Sequence, residues 1–580
     1  MIHSFCLAAF SVLPVQGRTD LCRFAPKDCG LLVSVESRAF DARALHDFLS
    51  TLMRAPEGLP ALLGPRARKR FEAALSFTKT WPDLAIGKAL EDLARGGLLI
   101  GQAASRRAST TGTSKPDTFV ILGFETRDQA HNAYEVFRTW LSLGKLLGKA
   151  GGQKILDSFV QSGKNLVFAE RKLLRRSILD RMRGKTDLTK ARLSDAFYSA
   201  HEGALLGVRL WLDFSRSLDK KNFAEMKNEP FASMLFAGLH DGLRKSGPLL
   251  FRADLDAGDE PRLSLALRLP GFSKGLNPGI RAVWDAGDAW LPAASENQIL
   301  RFRIARDFSS FVKARQELLS ARGEAELDKF LQGIEFGFQG SQAETVLLPD
   351  LMPGFSGMAA LGNEENQVRE GSLHYCLPQG LLAFGHRAGA LASKAPAALR
   401  LFVIAGNANR KRNGKDLYRL RTEKGEGYSL STAHIATRKD PRPLAASFEP
   451  GVASTKTSFY LSSSPSLLKE MFKNGERERI TAADGSTLGN LLQVRGDKIA
   501  LALLQNLDLA RAQMVLRQGI SYANAESRLR FLARLLDAAG RLDYRDGFSG
   551  EDLEARLIWS PKSQLFDPLF WNVKRRESVR

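Results

Sequence analysis

Lys-Asn-Leu-Val-Phe-Ala-Glu-Arg-Lys-Leu-Leu-Arg-Arg-Ser-Ile-Leu-Asp-Arg-Met, residues 164–182, decides how this 580-residue chain is read, because a stretch of the same design returns downstream. There, residues 457–472 run Thr-Ser-Phe-Tyr-Leu-Ser-Ser-Ser-Pro-Ser-Leu-Leu-Lys-Glu-Met-Phe. Each holds a short apolar run, Leu166-Val167-Phe168 or Phe459-Tyr460-Leu461, that breaks into a helix-spaced pattern opened by a Leu-Leu pair. Short bounded apolar runs are strand-like, and apolar residues three and four apart are helical. Both stretches therefore predict strand, tight turn, helix. In the second, Ser464 followed by Pro465 gives the turn a mechanism. A serine N-cap accepts an orphan N–H, and proline at the first helical position sacrifices no hydrogen bond.

Copies should carry other landmarks in the same order. Pro26, Leu31-Leu32-Val33 and Phe40 match Pro292, Ile299-Leu300 and Phe308 at offsets of 266 to 268. Leu166 with Leu173-Leu174 matches Phe459 with Leu467-Leu468 at 293 and 294. Val208-Arg209-Leu210-Trp211-Leu212 matches Ile499-Ala500-Leu501-Ala502-Leu503 at 291, and Leu263 to Leu267 before Pro270 matches Leu553 to Leu557 before Pro561 at 290 and 291. The offset grows by only about 25 residues, which one or two cheap loop insertions explain. The reading is an internal duplication, with the two Leu-Leu pairs in equivalent buried positions.

This organises the chain into a segment at 1–17, a first unit at 26–271, a connector at 272–291 rich in glycine and proline, a second unit at 292–561 and a basic tail at 562–580. In the first unit, strands near Leu31 and Thr118 alternate with helices whose stripes include Leu45, Phe48, Leu49 and Leu52, then Ala130, Tyr134, Phe137 and Leu141. A mobile Ser, Thr and Gly-rich loop is expected from Ser105 to Lys115, and a hairpin from residues 249–255 and 262–269 closes the unit. In the second unit Phe308, Phe311 and Val312 open on a helix. Leu401 to Ala405 then reads as a strand, Asn413-Gly414 as a hairpin turn, and residues 417–420 and 428–435 as strands. The fold class is α+β: two related units, each a mostly antiparallel sheet with covering helices.

Apolar content of 44% and charged content of 25% are those of a chain that buries sizeable cores. The 84 basic against 63 acidic residues give a net charge of +21, which attracts polyanions or an anionic surface. Residues 1–17 read as a secretory signal, with an apolar core from Phe5 to Leu13, then Pro14 and the small-residue end at Gly17. No later run reaches the roughly 18 apolar residues of a membrane span. Cys22 and Cys29 are spaced to close a small disulfide loop in an exported chain. The four cysteines and eight histidines show no metal-ligand spacing, and no cofactor motif is present.

Two constellations invite chemistry. Gly271-Phe272-Ser273-Lys274-Gly275 fits G-x-S-x-G, the elbow that presents a nucleophilic serine between strand and helix. Pro278 and Gly279 close behind deny it the helix, so Ser273 is expected to be a connector residue and no catalytic residue is assigned. The second is basic. Arg171, Lys172, Arg175, Arg176, Arg181, Arg183 and Lys185 line a helix whose Leu174, Ile178 and Met182 face inward, and Arg410, Lys411 and Arg412 form a basic turn. Arg171, Lys172, Arg175, Arg176, Arg410, Lys411 and Arg412 are the candidate contacts to phosphate or sulfate groups. The same groups also suit a solvated face, and sparse aromatic interleaving argues against single-stranded nucleic acid.

The duplicated order of strand-helix opening, strand-turn-helix and closing hairpin near a proline resembles a family of large bacterial extracytoplasmic proteins built on a domain of unknown function. The resemblance spans most of Pro26 to Pro561 and implies export and an α+β fold; it transfers no functional residue. The expectation is an exported, non-enzymatic binding or scaffolding protein of the bacterial envelope, with an anionic envelope polymer as the sharper partner. The alternative from another class is a hydrolase with its site assembled between the two units.

Overall fold

The computed structural model describes residues 21–25, 29–37, 88–89, 92–93, 96–103, 117–146, 158–169, 171–184, 206–212, 227–230, 233–234, 242–243, 245–256, 262–276, 290–362, 367–370, 373–435, 448–480 and 489–562. The expected signal segment, the helix at Leu45 to Leu52, the loop at Ser105 to Lys115 and the tail beyond 562 lie outside them. So does the side chain of Cys22, the residue spaced to close a small loop with Cys29. The chain divides into two compact units, one of residues 1–217, 247–269 and 560–580, the other of 218–246 and 270–559.

The first unit holds β1 (Cys29–Ser37), β2 (Leu98–Ala103), β3 (Asp117–Gly123), β4 (Phe159–Ser162), β5 (Asn165–Ala169), β6 (Leu206–Leu212), β7 (Leu249–Asp256) and β8 (Arg262–Leu269). Their order across the sheet is β4-β5-β3-β2-β1-β6-β7-β8, every pair antiparallel. Helix α1 (Arg127–Leu146) follows β3 and α2 (Lys172–Met182) follows β5. Successive strand residues point to opposite faces. Leu99, Phe119, Ile121 and Val167 therefore pack with Ile178 of α2 on one face. Leu98, Leu122 and Leu166 pack with Ala130 and Ala133 of α1 on the other. Helices on both faces are why runs such as Leu166-Val167-Phe168 are continuously apolar rather than alternating.

The second unit holds β9 (Trp290–Pro292), β10 (Gln298–Ile304), β11 (Leu351–Ala360), β12 (Gln367–Glu370), β13 (Leu373–Cys376), β14 (Gln379–His386), β15 (Tyr418–Gly425), β16 (Tyr428–Ile435), β17 (Gly451–Ser454), β18 (Ser458–Ser462), β19 (Arg477–Arg479), β20 (Leu491–Arg495), β21 (Arg541–Ser549) and β22 (Asp552–Ser560). Its helices include α3 (Phe308–Lys313), α4 (Ala321–Gly337), α5 (Ala390–Arg412), α6 (Pro465–Lys473), α7 (Gly496–Gln505), α8 (Leu507–Gln518) and α9 (Tyr522–Ala539). The main sheet runs β15-β16-β17-β18-β14-β11-β10-β20-β21, again all antiparallel. Two small antiparallel pairs stand apart, the consecutive β12 and β13 and the sequence-distant β9 and β19. Leu381, Ala383 and Tyr460 pack with Leu467, Leu468 and Met471 of α6. Phe384 and Phe459, on the opposite face, pack with Leu391, Ala395, Leu399 and Val403 of α5.

From β17 to β21 this succession repeats that from β4 to β7, strand for strand, with α5 placed after β14 as α1 is after β3, and α6 after β18 as α2 is after β5. The α+β class with antiparallel sheets and covering helices is thus the observed one. The β15–β16 hairpin has no counterpart among the described strands of the first unit.

Several local expectations are corrected. Leu401 to Ala405 is not a strand but the middle of α5, held helical by Leu399 and Val403 packing onto the sheet. Asn413 and Gly414 do not turn a hairpin; they end α5, with Gly414 at φ 61°. Both roles demand positive φ, so the dipeptide alone does not choose between them. The 428–435 strand pairs with β15 across Glu426 and Gly427 instead. Ile499 to Leu503, matched to β6 in sequence, lies in α7, and the strand beside β10 is β20. The Leu-Leu expectation also fails: Leu467 and Leu468 are 1% and 0% exposed, but Leu173 is 82% exposed. Counted from the strand ends Ala169 and Ser462, buried Leu467 stands where half-buried Leu174 does, buried Met471 where buried Ile178 does, and exposed Leu173 stands where Ser466 does. The Leu-Leu pairs therefore lend a repeat no support; the shared succession of strands is a separate observation. Ser464 does not cap α6 with its side chain, its hydroxyl bonding that of Ser466 at 2.7 Å, although Pro465 does open the helix.

Candidate functional site

The basic candidates fall into two groups, one in each unit. Arg171 precedes α2 and its guanidinium lies 2.8 Å from Asp117, so its charge is already met. Lys172 and Arg176 are exposed and Arg175 is half-buried. Arg181, expected on the basic face, is buried and donates to the carbonyl of Ala25 at 3.0 Å. It fastens α2 to the turn before β1. Lys185 lies outside the described residues. What remains on α2 is a short row of cations at the helix start, where the macrodipole opposes positive charge.

The second group is denser. The apolar stripe of α5 holds the helix on the sheet, and Gly414 stops it, leaving Arg410, Lys411 and Arg412 in the last turn. Arg410 is fixed: its Nε donates to the Asp416 carbonyl and its guanidinium sits 5.0 Å from the centre of the Tyr418 ring. The N–H of Lys415 donates to the Arg410 carbonyl at 3.0 Å, which folds Lys415 back beside the helix end. Lys411, Arg412 and Lys415 are exposed, and no carboxylate among the described residues pairs with them. Within residues 410–416 four cations face one acid, Asp416. The helix C-terminus adds only about −0.5 charge. Cations here complement that dipole, but they exceed what it can balance, and the excess is available to an anion.

Other buried polar groups were not singled out by sequence reading, and each serves the framework. Asp546 accepts from the backbone N–H of Asn490 at 2.6 Å, from Asn490 Nδ2 at 2.7 Å and from the Tyr544 hydroxyl at 2.9 Å, near buried Arg306. Burial and the Asp546 carboxylate push the Tyr544 hydroxyl far above its ordinary range. Burial lowers Arg306, partly offset by Asp546. Tyr460 donates to Glu476 at 2.6 Å, and burial with that bond raises its hydroxyl likewise. A signal existed in β10, whose Arg301 and Arg303 alternate with Leu300, Phe302 and Ile304, but alternation does not say which set is buried.

Ser273 lies in a single 3-10 turn, 3% exposed, with its N–H donating to the Glu551 carbonyl at 3.1 Å. That is no exposed elbow. A cavity of about 40 Å³ lined by Pro230, Met234, Phe308, Phe311, Leu327, Phe330 and neighbours is apolar throughout. No group of histidine, cysteine and carboxylate side chains able to hold a metal occurs among the described residues, and no single described helix is long and apolar enough to cross a membrane. No protein-family model, curated protein or solved structure matches the chain.

Proposed function

We propose that this chain is a non-enzymatic binding protein of the bacterial envelope, arisen by duplication of one α+β unit, that engages an anionic polymer or surface through the end of α5. The observation that carries the reading is the trio Lys411, Arg412 and Lys415, exposed and without acidic partners among the described residues, around an Arg410 that is already anchored. Clustered, hydrated cations of this kind neutralise phosphate or sulfate with release of counterions, which makes binding salt-sensitive. Export rests on the signal-like residues 1–17, and duplication on the common succession of strands and helices in the two sheets.

The test is retention on immobilised heparin. Lys411→Glu with Arg412→Glu and Lys415→Glu is expected to elute at clearly lower salt than the unmodified chain. Lys172→Glu with Arg176→Glu is expected to shift elution less, since fewer uncompensated cations stand there. Unchanged elution of the triple variant sinks the reading.

A further inference from the structure

β15 ends the second sheet: among the described residues it pairs with β16 and with no strand on its other side. Which of its backbone groups face outward follows from the hairpin. The two-residue turn at Glu426 and Gly427 closes on the pair Gly425 and Tyr428. In an antiparallel ladder, residues 425, 423, 421 and 419 then exchange bonds with β16, and the even-numbered residues point away. Tyr418 shows the same parity. Its N–H donates to Asn407 Oδ1 at 2.7 Å and its carbonyl accepts from Asn407 Nδ2 at 2.9 Å, so a side chain of α5 fills the first outward position as a strand would. Leu420, Thr422 and Lys424 remain, all exposed, with outward N–H and C=O groups. An exposed edge of this length is a template for another strand.

We propose that this edge pairs with the same strand of a second copy, antiparallel about a two-fold axis through Thr422. The charges select the occupant and the register. With the axis at Thr422, Arg421 stands opposite Glu423 of the second copy, twice, while Leu420 faces Lys424. Moving the axis one residue toward the N-terminus sets Arg421 against Arg421, and one residue the other way sets Glu423 against Glu423. Opposite charges across a ladder stabilise and like charges destabilise. Within one copy Arg421 Nε lies 2.8 Å from Glu423, whose second oxygen is 2.7 Å from Lys469 Nζ. The dimer extends this row into four alternating charges. The three outward residues of each strand supply about six backbone hydrogen bonds, two for each facing pair.

The test is sedimentation velocity of the full chain over a concentration series. A monomer–dimer equilibrium is expected. Arg421→Glu should raise its dissociation constant about tenfold or more, the equivalent of about 1.4 kcal/mol. Arg421→Glu with Glu423→Arg should restore it, because the exchange recreates the alternation. Thr422→Pro removes an outward N–H that β16 does not use and should abolish pairing, with circular dichroism showing whether the fold is kept. A chain monomeric at every concentration overturns the proposal. So does a dimer indifferent to Arg421→Glu, or a double variant that fails to recover.

Discussion

Asp546 is buried, yet its carboxylate has three donors at 2.6 to 2.9 Å and Arg306 as a charged neighbour. Removing one member of such a group costs far more than the group contributes net, because the survivor keeps its desolvation penalty. Asp546→Ala is therefore expected to destabilise the second unit by about 3–5 kcal/mol, read as a fall in the urea midpoint. Tyr544→Phe deletes only one neutral donor and should cost about 1 kcal/mol. Equal losses in the two variants would show that Arg306 does not depend on the carboxylate. Arg301 and Arg303 teach the companion lesson: they are 6% and 4% exposed, while Leu300, Phe302 and Ile304 between them are only half-buried. Alternation was legible in residues 298–304. Its polarity was not, because the partners that make an inward arginine tolerable, the Gln493 side chain and the Gly489 carbonyl, lie nearly two hundred residues away.

Helix α5 was the element least legible in the sequence. Its Leu401-Phe402-Val403-Ile404 run favours a strand by composition, and Pro396 sits inside it, where proline removes a helical hydrogen bond. Packing decided otherwise, through Leu391, Ala395, Leu399 and Val403 on the sheet. A distant carboxylate also starts it: Asp350 accepts from the N–H groups of Ala388, Gly389 and Leu391 at 2.6, 3.1 and 3.1 Å. Asp350→Ala should cost about 1–2 kcal/mol by returning orphan donors to the helix start. Gly414→Ala, forcing a side chain into the left-handed region at the other end, should cost about 1 kcal/mol. Thermal melts of the two variants check both, and an unchanged melting temperature for Asp350→Ala would show that packing alone sets where α5 begins. The strands around α5 were better read, since residues 458–462 centre on the apolar run Phe459-Tyr460-Leu461 and residues 428–435, which mix Tyr, Leu, Ala and Ile with β-prone Thr432, start directly behind the Gly427 turn. The Leu-Leu pairing slipped by one residue because a helix face is set by its distance from the preceding strand, and a repeated dipeptide does not measure that distance.

At the scale of the molecule, the excess of positive charge competes with the α5 cluster as an explanation of any polyanion binding. A chain at +21 is drawn to heparin by its overall field, whatever its local patches do. The cations themselves were legible in residues 410–415; that three of them stand exposed while Arg171 and Arg181 are engaged was not, since Asp117 and the Ala25 carbonyl are brought to them only by the fold. The two explanations part when net charge is held constant. Lys411→Glu, Arg412→Glu and Lys415→Glu lower the formal charge from +21 to +15, because each reversal removes two charges. Arg322→Glu, Lys473→Glu and Arg517→Glu, at exposed positions of the same unit, lower it by the same amount. Screening at ordinary salt reaches only about 8 Å, so reversals outside a localised contact act on it more weakly than reversals within it. If the end of α5 is the contact, the first variant elutes at markedly lower salt than the second, and the logarithm of its affinity falls less steeply with the logarithm of salt, fewer counterions being released. If the two variants elute together, retention belongs to the whole field of the protein and the localised site is lost.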